Sequence, residues 1–296
     1  MLDNANGAIC TLINHFFTGK FNMSLKPICV AIALTLTLTA CGSTGSSHSN
    51  SIKTVSIETL KNSVDAELRE EFGSDGFTKT DSYQINVAGK TYTSGSIDLN
   101  NLGNGLQRLD VIETASAKVQ GQDYSATRNS KLHLYQQPYS VVAGVQVING
   151  SISDANGNLI RDIGGSDLDI NFVKGEATKT LPSAGTYNYA GKAFSQDSSG
   201  QFNYAVNFDT RKGSGSITGI TEAGKITLQE GTISNLSHTN PDNTTISGFG
   251  IQSTATSEKK GNGEYKLGFF GPNAEEVAGT VNQNNNGLVG FGGTKQ

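Results

Sequence analysis

The second half of the chain is built from short runs in which apolar and polar residues alternate. In the clearest run, Phe202, Tyr204, Val206 and Phe208 occupy every second position. Successive side chains of a β-strand point to opposite faces, so this pattern predicts a strand with one buried face. Nine such segments lie between 187 and 291, one of them a split or an overcount. Their regular spacing predicts an all-β barrel or sandwich of about eight strands.

Glycine and small polar residues separate these runs. The chain has 36 glycines but only 5 prolines, and 16% of its residues are charged, with a net charge of −4. Glycine, and Asn-Gly pairs such as Asn156-Gly157, supply the positive φ angles that tight turns need. The same composition argues against nucleic-acid binding, because a protein of that class needs a basic stripe.

The first half is predicted to be β-rich with one short helix. Apolar residues between Ile57 and Phe72 fall at steps of three and four, which is typical of an amphipathic helix. Ser56 is expected to cap its first turn and Gly73 to end it. Strand-like runs separated by Gly, Asn and Asp then fill 82–148.

Residues 265–279 form a corner between two predicted strands. The alternation stops at a Gly-Pro pair, and a helix of one or two turns is predicted to follow. Glu275 and Glu276 would lie at the positive end of that helix. Neighbours on a helix point about 100° apart, so these two glutamates are interpreted as helix-end charges rather than as a general acid and base. The corner contains no nucleophile–base pair and no metal-ligand spacing, and we predict no enzymatic activity, cofactor or metal site.

The N-terminus carries an export signal. Lys26 precedes an apolar run at 28–38, which is too short for a transmembrane helix and ends in Leu-Thr-Ala-Cys. This ending resembles a bacterial lipobox, and the resemblance implies cleavage before Cys41 and lipidation of that cysteine. Gly42, where a retained lipoprotein would carry Asp, implies by the same resemblance transfer to the outer membrane.

The expected organisation follows from this signal. We predict a signal peptide over 1–40, with translation starting at Met23, then the lipidated cysteine and a flexible tether over 41–55. A β-rich N-terminal domain is expected over 56–182 and a second domain over 183–296. The other two cysteines precede the cleavage point, so the mature body has none for a disulfide.

Two blocks of the second half carry a family resemblance. The first, 191–217, combines a Gly-Lys-Ala-Phe start, an acidic turn, an aromatic strand and a Gly-x-Gly-x-Ile end. The second, 270–279, joins Phe-Gly to a Glu-Val-Ala-Gly ending. With weaker landmarks in the first half, the chain over roughly 82–296 resembles the factor H binding protein lipoproteins of Gram-negative bacteria. The resemblance implies an N-terminal β-rich domain followed by a C-terminal eight-stranded antiparallel β-barrel.

The resemblance also implies a function without catalysis. Members of this family hold the host complement regulator factor H on the bacterial surface, which restrains complement attack and serves immune evasion and virulence. They use both domains for this contact, including acidic residues on the barrel strands.

Two of those glutamates align near Gly261 and Asn282, neither of which is acidic here. Glu258 and Glu264 flank the first position and are candidates to supply the missing charge. We therefore expect a lipid-anchored, surface-exposed outer-membrane protein that binds factor H, or another host serum protein, through a surface containing these four residues.

Two alternatives remain open. The Phe-Phe-Gly-Pro corner at 269–272 is also similar to transferrin-binding protein B and related haem-capture lipoproteins, which would make the protein a collector of haem or of a host iron protein. His133 would then be a candidate axial ligand. Its simpler interpretation is an exposed or packed strand residue, and His238 falls in a polar turn. The other alternative is a structural envelope lipoprotein facing the periplasm.

Overall fold

The computed structural model describes residues 53–73, 77–283 and 287–296. The predicted signal peptide over 1–40, the lipidated Cys41 and the start of the tether lie outside these residues. The described N-terminal part contains one helix, a 3-10 turn and nine strands: β1 Thr54–Ser56, α1 Ile57–Phe72, β2 Phe77–Val87, β3 Lys90–Tyr92, β4 Ser96–Asp98, the 3-10 turn Leu99–Leu102, β5 Gly105–Val119, β6 Gln122–Gln136, β7 Ser140–Asp154, β8 Leu159–Ile163 and β9 Asp169–Gly175. Eight strands follow: β10 Thr186–Phe194, β11 Ser199–Asn207, β12 Lys212–Ile220, β13 Gly224–Thr239, β14 Thr245–Ser257, β15 Gly261–Phe270, β16 Glu276–Gln283 and β17 Gly287–Lys295.

Helix α1 begins and ends where the sequence predicts. The Ser56 hydroxyl accepts a hydrogen bond from the Thr59 N–H, and Gly73 follows the last turn. The apolar stripe of the helix, including Val64 and Leu68, is buried against the N-terminal sheet. Most of the stability of such a helix comes from this packing of one face rather than from its own hydrogen bonds.

The N-terminal sheet has the strand order β3-β2-β5-β6-β7-β8, and β9 pairs with the first part of β7. Long antiparallel pairings hold it together, above all between β5 and β6. One face carries α1, and the other face, at one end, packs against the barrel.

The last eight strands close into an antiparallel barrel in sequence order, because β17 pairs with β10. This confirms the predicted fold class. Large side chains fill the barrel interior, and Phe202 stacks on Phe291 with ring centroids 4.7 Å apart. The Tyr265 hydroxyl donates to the Gln229 carbonyl at 2.7 Å, so the 2.8 Å contact to the Tyr204 hydroxyl is donated by Tyr204. Closure leaves this sheet without an open edge.

Strand β13 explains the ninth segment of the sequence pattern. It runs without a break from Gly224 to Thr239, but its register with β14 shifts between Leu228 and Ile233. Such a bulge interrupts the inward–outward alternation, so one strand looks like two in the sequence.

The barrel's outer side contributes a third apolar cluster where the N-terminal sheet packs on it. Phe194, Phe270 and Ala278 point out of the barrel and are buried against sheet residues that include Val142 and Val173. The sheet's side chains pack directly on the barrel backbone, so a Cβ added at Gly292 would lie 2.7 Å from the Gln137 side chain. These small and apolar residues make the sheet and the barrel pack as one body.

The prediction of a helix after Phe270 is wrong. Gly271 and Ala274 have φ angles of 85° and 56°, which a right-handed helix does not allow. The segment is a tight turn instead, and Glu276 is the first residue of β16. Glu276 is therefore not a helix-end charge.

Candidate functional site

Two of the four predicted partner-binding residues, Glu264 and Asn282, lie on the outer side of neighbouring barrel strands. Along β15, Tyr265, Leu267 and Phe269 fill the interior, so Glu264 and Lys266 point outward and are exposed. We call this surface the lateral face; it consists of the outward residues of β14, β15 and β16: Gln252, Thr254, Glu264, Lys266, Thr280 and Asn282.

Glu264 and Asn282 lie directly opposite each other on β15 and β16. Residues paired in this way have Cβ atoms about 5 Å apart, close enough to meet one partner group together. On the other side Thr254 is opposite Glu264, and the Gln252 amide donates to Glu264 Oε2 at 3.3 Å. The lateral face thus presents one solvent-exposed carboxylate among neutral donors and acceptors and one lysine.

Glu258 and Gly261 lie on the hairpin that joins β14 to β15. Glu258 Oε2 accepts a hydrogen bond from the Lys225 N–H at 2.9 Å, and the Glu258 N–H donates to the Lys225 carbonyl at 3.0 Å. This carboxylate therefore ties its hairpin to the one between β12 and β13. Of the two flanking glutamates, Glu264 is the one on the lateral face.

Gly261 has a turn geometry that disfavours the acidic residue which the family resemblance would place near it. Its φ angle is 75°, a left-handed conformation that side chains other than glycine adopt at a cost. No described atom lies within 4 Å of a Cβ added there, so the cost would come from the backbone alone. A role in partner binding remains a prediction for Glu258, Gly261, Glu264 and Asn282.

Sequence reasoning missed the most deeply buried carboxylate of the described residues. Glu276 is only 1% exposed. Its oxygens each accept from the Tyr139 N–H at 3.1 Å, and Oε2 also accepts from the Ser140 hydroxyl at 2.8 Å. Burial raises the pKa of this carboxyl, while the hydrogen bonds and the charge of Lys53 oppose the shift. Glu276 thus fastens the start of β16 to the start of β7.

Lys53, at the N-terminal side of the described residues, binds the loop that precedes β7. Its ammonium donates to the carbonyls of Gln137 and Pro138, both at 2.8 Å. Burial lowers the pKa of Lys53, and the charge of Glu276 opposes that shift. Lys53, inside the predicted tether at its C-terminal end, is therefore fixed to the same loop that binds Glu276.

The two candidate histidines have structural contacts. His133 is 3% exposed at the contact between sheet and barrel, where its ring stacks over Phe194 with a centroid distance of 6.5 Å. Burial, with the nearby charge of Arg108, lowers the pKa of His133 to about 4. His238 Nε2 lies 2.9 Å from the Asn171 carbonyl. An axial bond from His133 to haem would require the sheet to leave the barrel.

Within the described ranges, no group of three or more His, Cys, Asp or Glu side chains could hold a metal ion. No helix of the described residues is both long and apolar enough to cross a membrane.

Residues 179–281 match the family described as "Factor H binding protein, C-terminal". The match covers the 191–217 block and the corner, and confirms the resemblance on which the predicted fold was based. It also contains five of the six residues of the lateral face, with Asn282 one position beyond its end.

Solved structures of transferrin binding protein B are also similar. An intact form with N and C lobes is 16% identical at a TM-score of 0.38; the match covers 74% of this chain and 46% of that one. A variant from Actinobacillus pleuropneumoniae is 15% identical, with 54% and 77% covered and a TM-score of 0.34. A Neisseria meningitidis serogroup B form is 11% identical, with 71% and 67% covered and a TM-score of 0.28.

Proposed function

We propose that this protein is a lipid-anchored lipoprotein of the Gram-negative cell surface that binds a host serum protein, with complement factor H as the first candidate. The family match over 179–281 carries the proposal, because that family is named for factor H binding. The export signal ending at Cys41 supports an anchored, surface location. Binding of this kind needs no catalytic group.

The geometry of the lateral face suits this role. A stable protein–protein interface buries about 800 Å² on each side and depends on a few central residues. Glu264 and Asn282 are exposed opposite each other on the neighbouring barrel strands β15 and β16, so their relative position is fixed before a partner binds. The pair supplies one carboxylate and one amide where the family resemblance implies acidic residues.

The proposal includes the organisation of the chain. A signal peptide over 1–40 is removed, Cys41 is lipidated, and residues 41–55 connect the anchor to the folded body. Residues 56–182 and 183–296 then form two domains that contact the partner together. The hydrogen bonds from Ser140 to Glu276 and from Gln137 to the Val277 carbonyl support a fixed arrangement of the two.

A pull-down from whole serum tests the proposal without presupposing the partner. Residues 51–296 are immobilised without lipid, and the captured proteins are identified by mass spectrometry. We expect factor H to be recovered above an unrelated barrel used as a control. Recovery of transferrin or haemoglobin instead would favour capture of an iron protein, and recovery of neither class would contradict host-protein binding.

Exposure on the cell surface is tested separately. Protease treatment of intact cells should remove the protein, while a periplasmic control protein stays intact. A protein that resists protease on intact cells but is cleaved in lysed cells would contradict the surface location and favour a periplasmic structural role.

A further inference from the structure

One end of the barrel holds a pocket that the proposed function leaves unused. The hairpins between β10 and β11, β12 and β13, and β14 and β15 meet at this end with the end of β16 and the start of β17, and the segment leading into β9 lies over it. The cavity has a volume of about 260 Å³. We call it the mouth pocket; its polar lining residues are Asp167, Ser195, Gln196, Asp197, Glu222, Lys260 and Gln283.

The mouth pocket is electrically negative. Asp167, Asp197 and Glu222 face a single lysine among its lining residues, so its net charge is about −2. Burial raises the pKa of Glu222, but hydrogen bonds, among them those from Ser195 and Ser198, and the charge of Lys260 outweigh burial and lower that pKa overall. The Ser198 hydroxyl donates to Glu222 Oε2 at 2.7 Å, which fixes the carboxylate in its ionised form.

Gln283 is the second observation that points to a ligand. Its side chain is only 2% exposed and lines the pocket. Neither its amide oxygen nor its amide nitrogen has a hydrogen-bond partner within the described residues. A buried amide without partners destabilises a fold, and an apolar side chain of the same size would avoid that penalty. A bound donor would satisfy the oxygen.

The chemistry of the pocket selects the class of ligand. Three carboxylates repel anions such as phosphate. Among residues 53–73, 77–283 and 287–296 no acidic cluster could hold a metal ion, so a coordinated cation does not fit either. A guanidinium group carries a delocalised charge and five N–H donors, which can reach carboxylates and an amide oxygen at once. We propose that the mouth pocket binds a guanidinium cation, with Glu222 as charge partner and Gln283 Oε1 as neutral acceptor.

The position of the pocket suggests where this cation comes from. Gln283 directly follows Asn282 of the lateral face, and Lys260 lies between Glu258 and Gly261 on the adjoining hairpin. An arginine side chain of the captured host protein could therefore enter the pocket while that protein contacts the lateral face. This source rests on the proposed function, whereas the binding of a guanidinium cation does not. A free guanidinium compound is the other source.

The test titrates the full chain, purified in detergent, with methylguanidinium chloride. Selective labelling of glutamine makes the side-chain amide of Gln283 visible by NMR, and the Gln283→Leu variant assigns its signal. We expect a saturable shift of this signal with methylguanidinium and none with methylurea, which has a similar shape but no charge. Equal shifts with both compounds, or no saturable shift, would overturn the proposal.

Two variants and a matched control separate the site from general charge effects. Glu222→Gln should weaken binding about tenfold or more, because it removes a charge-assisted hydrogen bond. Gln283→Leu lacks the reporting amide, so its binding is followed by calorimetric titration; it should lose binding while its melting temperature stays equal to the wild type or rises. Glu230→Gln removes an exposed carboxylate paired with Lys212 elsewhere on the barrel and should change nothing. Unchanged binding in both pocket variants would contradict the site.

A competition arm identifies the source of the cation. If methylguanidinium displaces factor H from the immobilised protein, the natural ligand is an arginine of the captured protein. If it binds the pocket without displacing factor H, the natural ligand is a free guanidinium compound. Failure to capture any host protein would leave the direct titration valid, so the two proposals fail independently.

Discussion

Among single residues, Glu276 joins the barrel directly to the N-terminal sheet. Its carboxylate accepts hydrogen bonds from the Tyr139 N–H and the Ser140 hydroxyl in a buried position. Glu276→Ala should leave both donors unpaired and lower the free energy of unfolding by about 2 kcal/mol in urea denaturation. Glu275→Ala, which alters the partly exposed neighbouring residue, is the control and should cost clearly less. Equal losses would show that the buried contact contributes little.

His133 should make the fold sensitive to acid. Its pKa is about 4 in the folded protein against about 6.5 in an unfolded chain, so between these values the unfolded chain binds more protons. Stability should therefore fall as the pH drops from 6.5 towards 4, by about 2 kcal/mol at pH 5. His133→Leu should reduce this loss when urea unfolding is compared at pH 7 and pH 5, whereas His238→Gln should keep it. A wild-type pH dependence retained in His133→Leu would contradict this account.

At the scale of elements, the β14–β15 hairpin fixes what the protein can present at Gly261. Gly261→Glu would restore acidity near the family position but should lower the free energy of unfolding by about 1 kcal/mol, since φ is 75°. Asn262→Glu, one residue along and also exposed, should cost less than about 0.5 kcal/mol. Thermal or urea unfolding of the two variants checks the difference, and a Gly261→Glu variant as stable as Asn262→Glu would show that the turn is not strained.

The sequence predicts those elements whose signal is local. Alternation marks β11 because Phe202 and Tyr204 must fill the barrel, and Ser56 caps α1 through a contact three residues away. The bulge in β13 hides that strand's continuity, because it shifts the period of two. Gly-Pro followed by two glutamates resembles a helix start and so predicts a helix at the corner. The positive φ of Ala274 excludes a right-handed helix there.

For the candidate site, too, the sequence predicts the local features but not the long-range ones. Alternation predicts that Glu264 points outward, but its position opposite Asn282 depends on the register of β15 and β16. The burial of Glu276 depends on Ser140, which is 136 positions earlier in the chain. The burial of the unpaired Gln283 amide likewise depends on the hairpins that meet around the mouth pocket. Pairings across such distances have no local sequence signal.

At the scale of the whole molecule, a buried ion pair clamps the sheet to the barrel. Lys174 on β9 binds Asp242 on the β13–β14 hairpin, with side chains only 3% and 4% exposed, and also donates to the Thr244 hydroxyl at 2.9 Å. The Val173 N–H donates to Asn240 Oδ1 at 2.8 Å beside it. The sheet and the barrel should therefore unfold in one cooperative transition.

Breaking this clamp on one side should be costly. Asp242→Ala would leave the Lys174 ammonium buried without its counter-charge and should lower the free energy of unfolding by about 3–5 kcal/mol. The double variant Lys174→Met with Asp242→Leu removes both charges and should recover most of that loss, as measured by calorimetry. A double variant as unstable as Asp242→Ala would contradict the assignment of the loss to the uncompensated charge.

Surface plasmon resonance between factor H and barrel variants decides whether the lateral face binds the partner. The lipid-free body should bind factor H, and Glu264→Ala with Asn282→Ala should weaken binding tenfold or more. The matched control is Gln201→Ala with Asn203→Ala, two exposed polar residues on β11, four strands around the barrel. The control variant should bind like the wild type. Wild-type binding by the lateral-face variant, or absence of factor H binding by the unaltered body, would contradict the account.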